Sequence, residues 1–206
     1  MTFTLLSVFV PTFFFVSITP GMCMTLAMTL GMTIGIKRTL WMMLGELCGV
    51  AFVVTLSAVG VATLLLNYPD YFIAFKLIGG AYLTYVGIQM WRSKGKMALT
   101  SEQENKVTSK IELIAHGFIT AIVNPKGWAF FVALLPPFLN PQQPLASQLV
   151  ILISIILLLE FSCLLIYALG GRTMRAVLIQ SSNVRIMNRI SGTLMMGVGV
   201  WLGFGG

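Results

Sequence analysis

A chain of 206 residues that is 57% hydrophobic and 9% charged, with a mean hydropathy of +0.93, is no soluble domain, because soluble domains carry about a quarter charged residues. The net charge of +7 is spread over short loops instead of gathering in one patch, which argues against nucleic acid and for an asymmetric lipid setting. The composition therefore predicts an all-α, multi-pass membrane protein.

Six stretches approach the roughly 20 apolar residues that a hydrocarbon core requires. The first, residues 3–36, lacks the Lys/Arg lead of a cleaved signal and reads as a retained span. It is interrupted at depth by "SITPGM", residues 17–22. The second covers residues 40–66 and contains Glu46. The turn "NYPD" leads into the third, residues 71–91. The polar segment 92–112 follows. The fourth span, residues 113–139, is interrupted by "VNPKG", residues 123–127. The proline-rich "PPFLNPQQP" precedes the fifth, residues 147–171, which holds Glu160. A basic stretch, residues 172–189, leads to a short sixth span, residues 190–204.

Basic residues alternate sharply between loops. The first, third and fifth loops hold Lys37 and Arg38, then Arg92, Lys94, Lys96, Lys106 and Lys110, then Arg172, Arg175, Arg185 and Arg189. The other loops hold none. The positive-inside rule then places loop 92–112 in the cytoplasm and both chain ends outside, in a cell membrane. Three spans precede that loop and three follow, so the halves, residues 1–91 and 113–206, run in opposite senses within one transporter domain. Spans one and four each carry a mid-membrane proline, and spans two and five each carry one acid. This is the pattern of an inverted 3+3 repeat with broken first and fourth helices.

Thr19-Pro20-Gly21 and Asn124-Pro125-Lys126 share a grammar: a capping residue, then proline at the first helical position. Each break is expected to restart a helix whose free N–H groups face a central zone. Such termini attract anions, and Lys126, about 20 Å into its span at helical rise, adds a full charge. Thr19, Pro20, Gly21, Asn124, Pro125 and Lys126 are therefore the expected substrate-binding set for a carboxylate-bearing molecule. Trp128, Phe130 and Phe131 are expected to meet its side chain. Carboxylates at depth are costly and mark ion or proton pathways, which makes Glu160 and Glu46 the candidate proton-coupling residues. Glu46 lies about seven residues from a basic loop, near enough to be hydrated or to pair with Lys37 or Arg38.

Gly31, Gly35, Gly45 and Gly49, and then Gly80, Gly87, Gly192, Gly199 and Gly203, have the spacing that lets membrane helices approach closely. Cys23, Cys48 and Cys163 are odd in number and embedded in apolar sequence, so they read as filler. A thiol-redox carrier would need a cysteine beside each break, and only Cys23 qualifies. A metal-ion exporter would need ligand clusters, and the chain has one histidine. A scaffold leaves Lys126 and Glu160 without a purpose. The expectation is a carrier, not an enzyme, without cofactor or metal.

The chain also resembles the LysE/RhtB family of amino-acid exporters along essentially its whole length. The carrying stretches are "SITPGM", "KLIGGAYLTYVGIQMWRS" (76–93), "GFITAIVNPKGWAFFVALLPPFLNPQQP" (117–144) and "NRISGTLMMGVGVWLGFG" (188–205). "GIQMWR" and "NPQQP" look most like its homoserine/threonine branch. The resemblance implies an inner-membrane carrier that expels amino acids or their derivatives in exchange for protons. Pro20 and Gly21 then match the family's first-span motif, Asn124, Pro125 and Lys126 its fourth-span motif, and Glu160 an acid of its fifth span. Two departures stand out. Met22-Cys23 replaces a common Pro-Asn after "PG", and Glu46 lies where many members are apolar. A homodimer is expected on analogy with other small carriers.

Overall fold

The computed structural model describes residues 3–67, 69–93, 109–135, 138 and 143–204. These are helical almost throughout: α1 (Phe3–Ile18), α2 (Met22–Thr33), α3 (Ile36–Asn67), α4 (Pro69–Arg92), α5 (Lys110–Ile122), α6 (Pro125–Leu134), α7 (Leu145–Leu169), α8 (Gly171–Ile179) and α9 (Ser181–Phe204). No strand occurs among the described residues. Most of loop 92–112, at 94–108, and most of "PPFLNPQQP" lie outside them.

Among the described residues, two helices are long and apolar enough to cross a membrane alone, Ile36–Val61 of α3 and Ala146–Leu169 of α7. Leu6–Ile18 and Met22–Thr33 make a third crossing if the pair, bent by 57°, counts as one span. The other three expected spans fall on α4, on α5 with α6, and on α9. α5 and α6, of 13 and 10 residues, are each too short alone, since crossing takes about 20.

Two expectations about loops are corrected. Residues 172–189 are not an open basic stretch. α8 forms because Arg172 and Arg175 fall among residues whose apolar side, through the buried Leu178, packs into the α2 cluster, and α9 begins at Ser181. Gly35 is not a packing glycine. Its φ of +79° makes the left-handed turn between α2 and α3 that a side chain would oppose.

Other glycines do pack as expected. A Cβ on Gly80 would lie 2.6 Å from the Gly199 carbonyl oxygen, and one on Gly87 would lie 2.6 Å from that of Gly192. Advancing along α4 thus retreats along α9, so the two run antiparallel with backbones in contact. Gly45 abuts the Ile114 backbone, and Gly49 abuts Phe118 and Ala121. Both chains advance together there, so α3 and α5 are parallel. Gly203 joins the α4–α9 seam, its backbone nitrogen 3.3 Å from a Cβ placed on Gly80.

The buried side chains form two apolar clusters. One gathers Phe9, Phe13, Val16, Phe130, Phe131, Leu152 and Ile156 with Val50 to Val61 of α3. The other gathers Met24, Met28, Met42, Met43, Cys163, Leu164 and Tyr167 with α8 and the start of α9. On α7 the buried stripe is Leu152, Ile156, Glu160, Cys163 and Tyr167, one helical face. On α3 it is Met42, Glu46, Val50, Val53 and Ser57. Each acid falls where its stripe passes from one cluster to the other. The polar layer lies between two dry halves.

Candidate functional site

The first break does not follow its expected grammar. Thr19 is not an N-cap. Its hydroxyl donates back to the Phe15 carbonyl at 2.6 Å and lies against the Ser191 hydroxyl, which donates to the same carbonyl. α2 starts from Gly21, in extended conformation and with no side-chain cap, so its leading N–H groups have no side-chain acceptor of their own. A threonine at a helix end can always bond the carbonyl one turn behind, and here that option wins.

The second break follows its grammar. Asn124 is in extended conformation, its Oδ1 accepts the Lys126 N–H at 3.1 Å, and Pro125 occupies the first turn of α6. The Asn124 amide then donates to Cys23 Sγ at 3.6 Å. The two breaks therefore touch, although 101 residues separate these partners.

Lys126 links them again. Its Nζ donates to the carbonyls of Val16 at 2.5 Å and Thr19 at 3.3 Å. A helix leaves its last four carbonyls without partners, and α1 ends in the protein interior. Lys126 serves one of those carbonyls, Val16, and that of Thr19 just past the helix end, the Ser191 hydroxyl serves Phe15 at 2.7 Å, and the Tyr167 hydroxyl serves Ile18 at 2.7 Å. Lys126 opens α6, and its ammonium sits at the negative end of α1.

The two acids differ. Glu160 accepts a hydrogen bond from the Ser17 hydroxyl and lies within electrostatic reach of Lys126. Glu46 is 0% exposed, and neither of its carboxylate oxygens has a hydrogen-bond partner. Its nearest polar neighbours are Glu160 and Cys23, both within hydrogen-bonding reach of it when a proton lies between them. Glu46 is thus neither hydrated at an interface nor paired with Lys37 or Arg38. Counting from the basic loop misplaced it because Lys37 and Arg38 already belong to the first turn of α3.

These groups line one cavity of about 50 Å³, room for roughly four water molecules. Ser17, Thr19, Gly21, Cys23, Glu46, Asn124, Lys126 and Glu160 form its polar wall, and Phe13, Val16, Val50, Phe130 and Phe131 its apolar one. Of the expected set, Thr19, Gly21, Asn124, Lys126, Glu46 and Glu160 come together. Pro20 and Pro125 shape the breaks without lining the cavity. Trp128 also stands outside, its indole N–H donating to the Ile122 carbonyl at 2.7 Å. Ser17 and Cys23 were missed as lining residues. Ser17 stood in the broken stretch, one helical turn ahead of Gly21, and that spacing was the available signal. Cys23 lines the wall, whereas Cys48 is exposed, so the cysteines are not uniform filler. Among the described residues no three His, Cys, Asp or Glu side chains are grouped to hold a metal ion.

Comparison with known proteins adds independent information. The model of the LysE type translocator family matches residues 14–206. A homoserine/homoserine lactone efflux protein of Salmonella typhimurium is 28% identical over 202 residues, 98% of this chain and 97% of that protein. An uncharacterized membrane protein of Vibrio cholerae is 27% identical over 90% of each chain. Another, YrhP of Bacillus subtilis, is 25% identical over 90% of this chain and 92% of its own. No solved structure matches.

Proposed function

This chain belongs to the LysE type translocator family, and on that premise we propose that it exports small neutral amino acids or their derivatives, of the homoserine and threonine type, in exchange for protons. The name printed for the Salmonella relative favours that substrate type. The observation that carries the reading is the polar layer: a cation, two carboxylates and two helix breaks enclosed between dry clusters. Ions held at this depth are costly unless they do something.

In this mechanism Glu160 carries the coupling proton. It lies on α7, within reach of Lys126 and bonded to Ser17 of α1, so its charge state acts on the end of α1. A proton shifts the carrier between its two openings only by binding them unequally, and Glu160 differs between them if α1 and α7 part. The substrate carboxylate meets the uncapped start of α2 at Gly21 and Lys126, and the apolar wall at Phe130 and Phe131 takes its side chain. Thr19 and Asn124 hold the two breaks in place. A cavity of about 50 Å³ holds water rather than a whole amino acid, so loading requires α1–α2 and α5–α6 to separate.

The inverted repeat is supported by how the elements meet. α4 pairs with α9, its counterpart across the two halves. The packing of α3 on α5 and α6 has its counterpart in that of α7 on α1 and α2. We place both termini outside and the basic loops in the cytoplasm of a bacterial inner membrane, from the loop asymmetry, and expect a homodimer.

The test is flux in proteoliposomes with an imposed pH gradient and labelled L-homoserine or L-threonine. Wild-type protein drives accumulation against the gradient of substrate, and Glu160→Gln loses it. Equal flux with and without the pH gradient overturns the antiport reading.

A further inference from the structure

Every strong side-chain donor on the cavity wall already has an acceptor in the protein. Ser17 gives its proton to Glu160, Thr19 to the Phe15 carbonyl, Asn124 to Cys23, and Lys126 to the carbonyls of Val16 and Thr19. One strong acceptor is left over. Glu46 is fully buried, and both its oxygens lack a donor. A buried polar group without a partner is expensive, and a carboxylate more so. A proton shared with the neighbouring Glu160 serves one oxygen but leaves the other without a strong donor. What Glu46 lacks is a cationic donor with several N–H groups, arriving from the cavity.

We propose that Glu46 is the receptor for the primary ammonium of the exported molecule. This rests on the exporter reading and goes further, since it divides labour between the acids: Glu160 for the coupling proton, Glu46 for the substrate. The arrangement also ranks the ligand's own groups. Two of the three Lys126 N–H groups are taken by the end of α1, so a ligand carboxylate finds a single donor there, whereas neither Glu46 oxygen has a strong donor from the protein. A free primary amine is the strict requirement of this site, and a free carboxylate the lenient one. The substrate class is small aliphatic α-amino compounds, those with a masked carboxyl included.

The experiment is counterflow of labelled L-homoserine in proteoliposomes at equal pH on both sides, which reads substrate binding and exchange without proton drive. With wild-type protein, unlabelled L-homoserine amide competes within about threefold of L-homoserine, and N-acetyl-L-homoserine is at least about tenfold weaker, the expected cost of losing a charge-assisted bond. Glu46→Gln raises the half-saturating concentration about tenfold or more, and Glu46→Asp, which keeps the charge, less. Equal competition by the N-acetyl compound, or normal counterflow in Glu46→Gln, overturns the assignment and leaves the exporter reading standing. If Glu46→Gln fails to fold, Glu46→Asp with the same competition series decides the matter: an unchanged half-saturating concentration and an unchanged penalty for the N-acetyl compound overturn the assignment. Absence of wild-type counterflow overturns the exporter reading and this inference with it.

Discussion

The chain interrupts a helix twice with nearly the same phrase, Thr19-Pro20-Gly21 and Asn124-Pro125-Lys126, and the two interruptions are held together by different means. The second is local. Asn124 caps α6, Pro125 fits its first turn, and the Trp128 indole braces the Ile122 carbonyl six residues back. The first is a tertiary construction. No side chain caps α2, and the carbonyls ending α1 are served by Lys126 of α6, Tyr167 of α7 and Ser191 of α9. Proline interrupts a helix in either case, but what stabilises the broken ends depends on which way the preceding side chain turns. Asparagine reaches forward to the new helix. Threonine reaches back to the old one.

That asymmetry can be broken or sharpened by substitution, in descending order of effect. Lys126→Met leaves two buried carbonyls without their charged donor and should cost about 3 kcal/mol, read as a lowered Tm in detergent together with lost efflux. Tyr167→Phe orphans the Ile18 carbonyl alone and should cost about 1–2 kcal/mol. A Tm equal to wild type would show that the first break does not depend on its distant partners. Asn124→Ala removes a single local cap, worth about 1 kcal/mol, and should also speed alkylation of Cys23 by uncovering its sulfur. Thr19→Val removes a hydroxyl whose acceptor, the Phe15 carbonyl, still has Ser191, so about 0.5 kcal/mol is expected. If Thr19→Val destabilised more than Asn124→Ala, the contrast between the breaks would be wrong in sign.

The sequence disclosed what depends on neighbours along the chain. Long apolar runs marked α3 and α7, the Asn-Pro pair marked the start of α6, and the glycine spacing marked the α4–α9 contact. Glu160 could be singled out because one acid in so apolar a helix has no ordinary reason to be there. What stayed hidden depends on distance in space. That Lys126 turns toward Val16 and Thr19, more than 100 residues earlier, follows from how α6 packs against α1 and not from any local spacing. Glu46 was placed too near the surface because its depth was measured from basic residues that are themselves inside α3. Thr19 was given the wrong direction because capping grammar does not distinguish a hydroxyl that looks ahead from one that looks behind.

The seam between α4 and α9 has a mechanical consequence. At Gly80 with Gly199 and Gly87 with Gly192 the two main chains touch without side chains between them, so neither helix can tilt against the other without collision or a void. They form a fixed keel. In the mechanism proposed above, the broken helices are the parts that swing to admit or release cargo, and they swing about that keel.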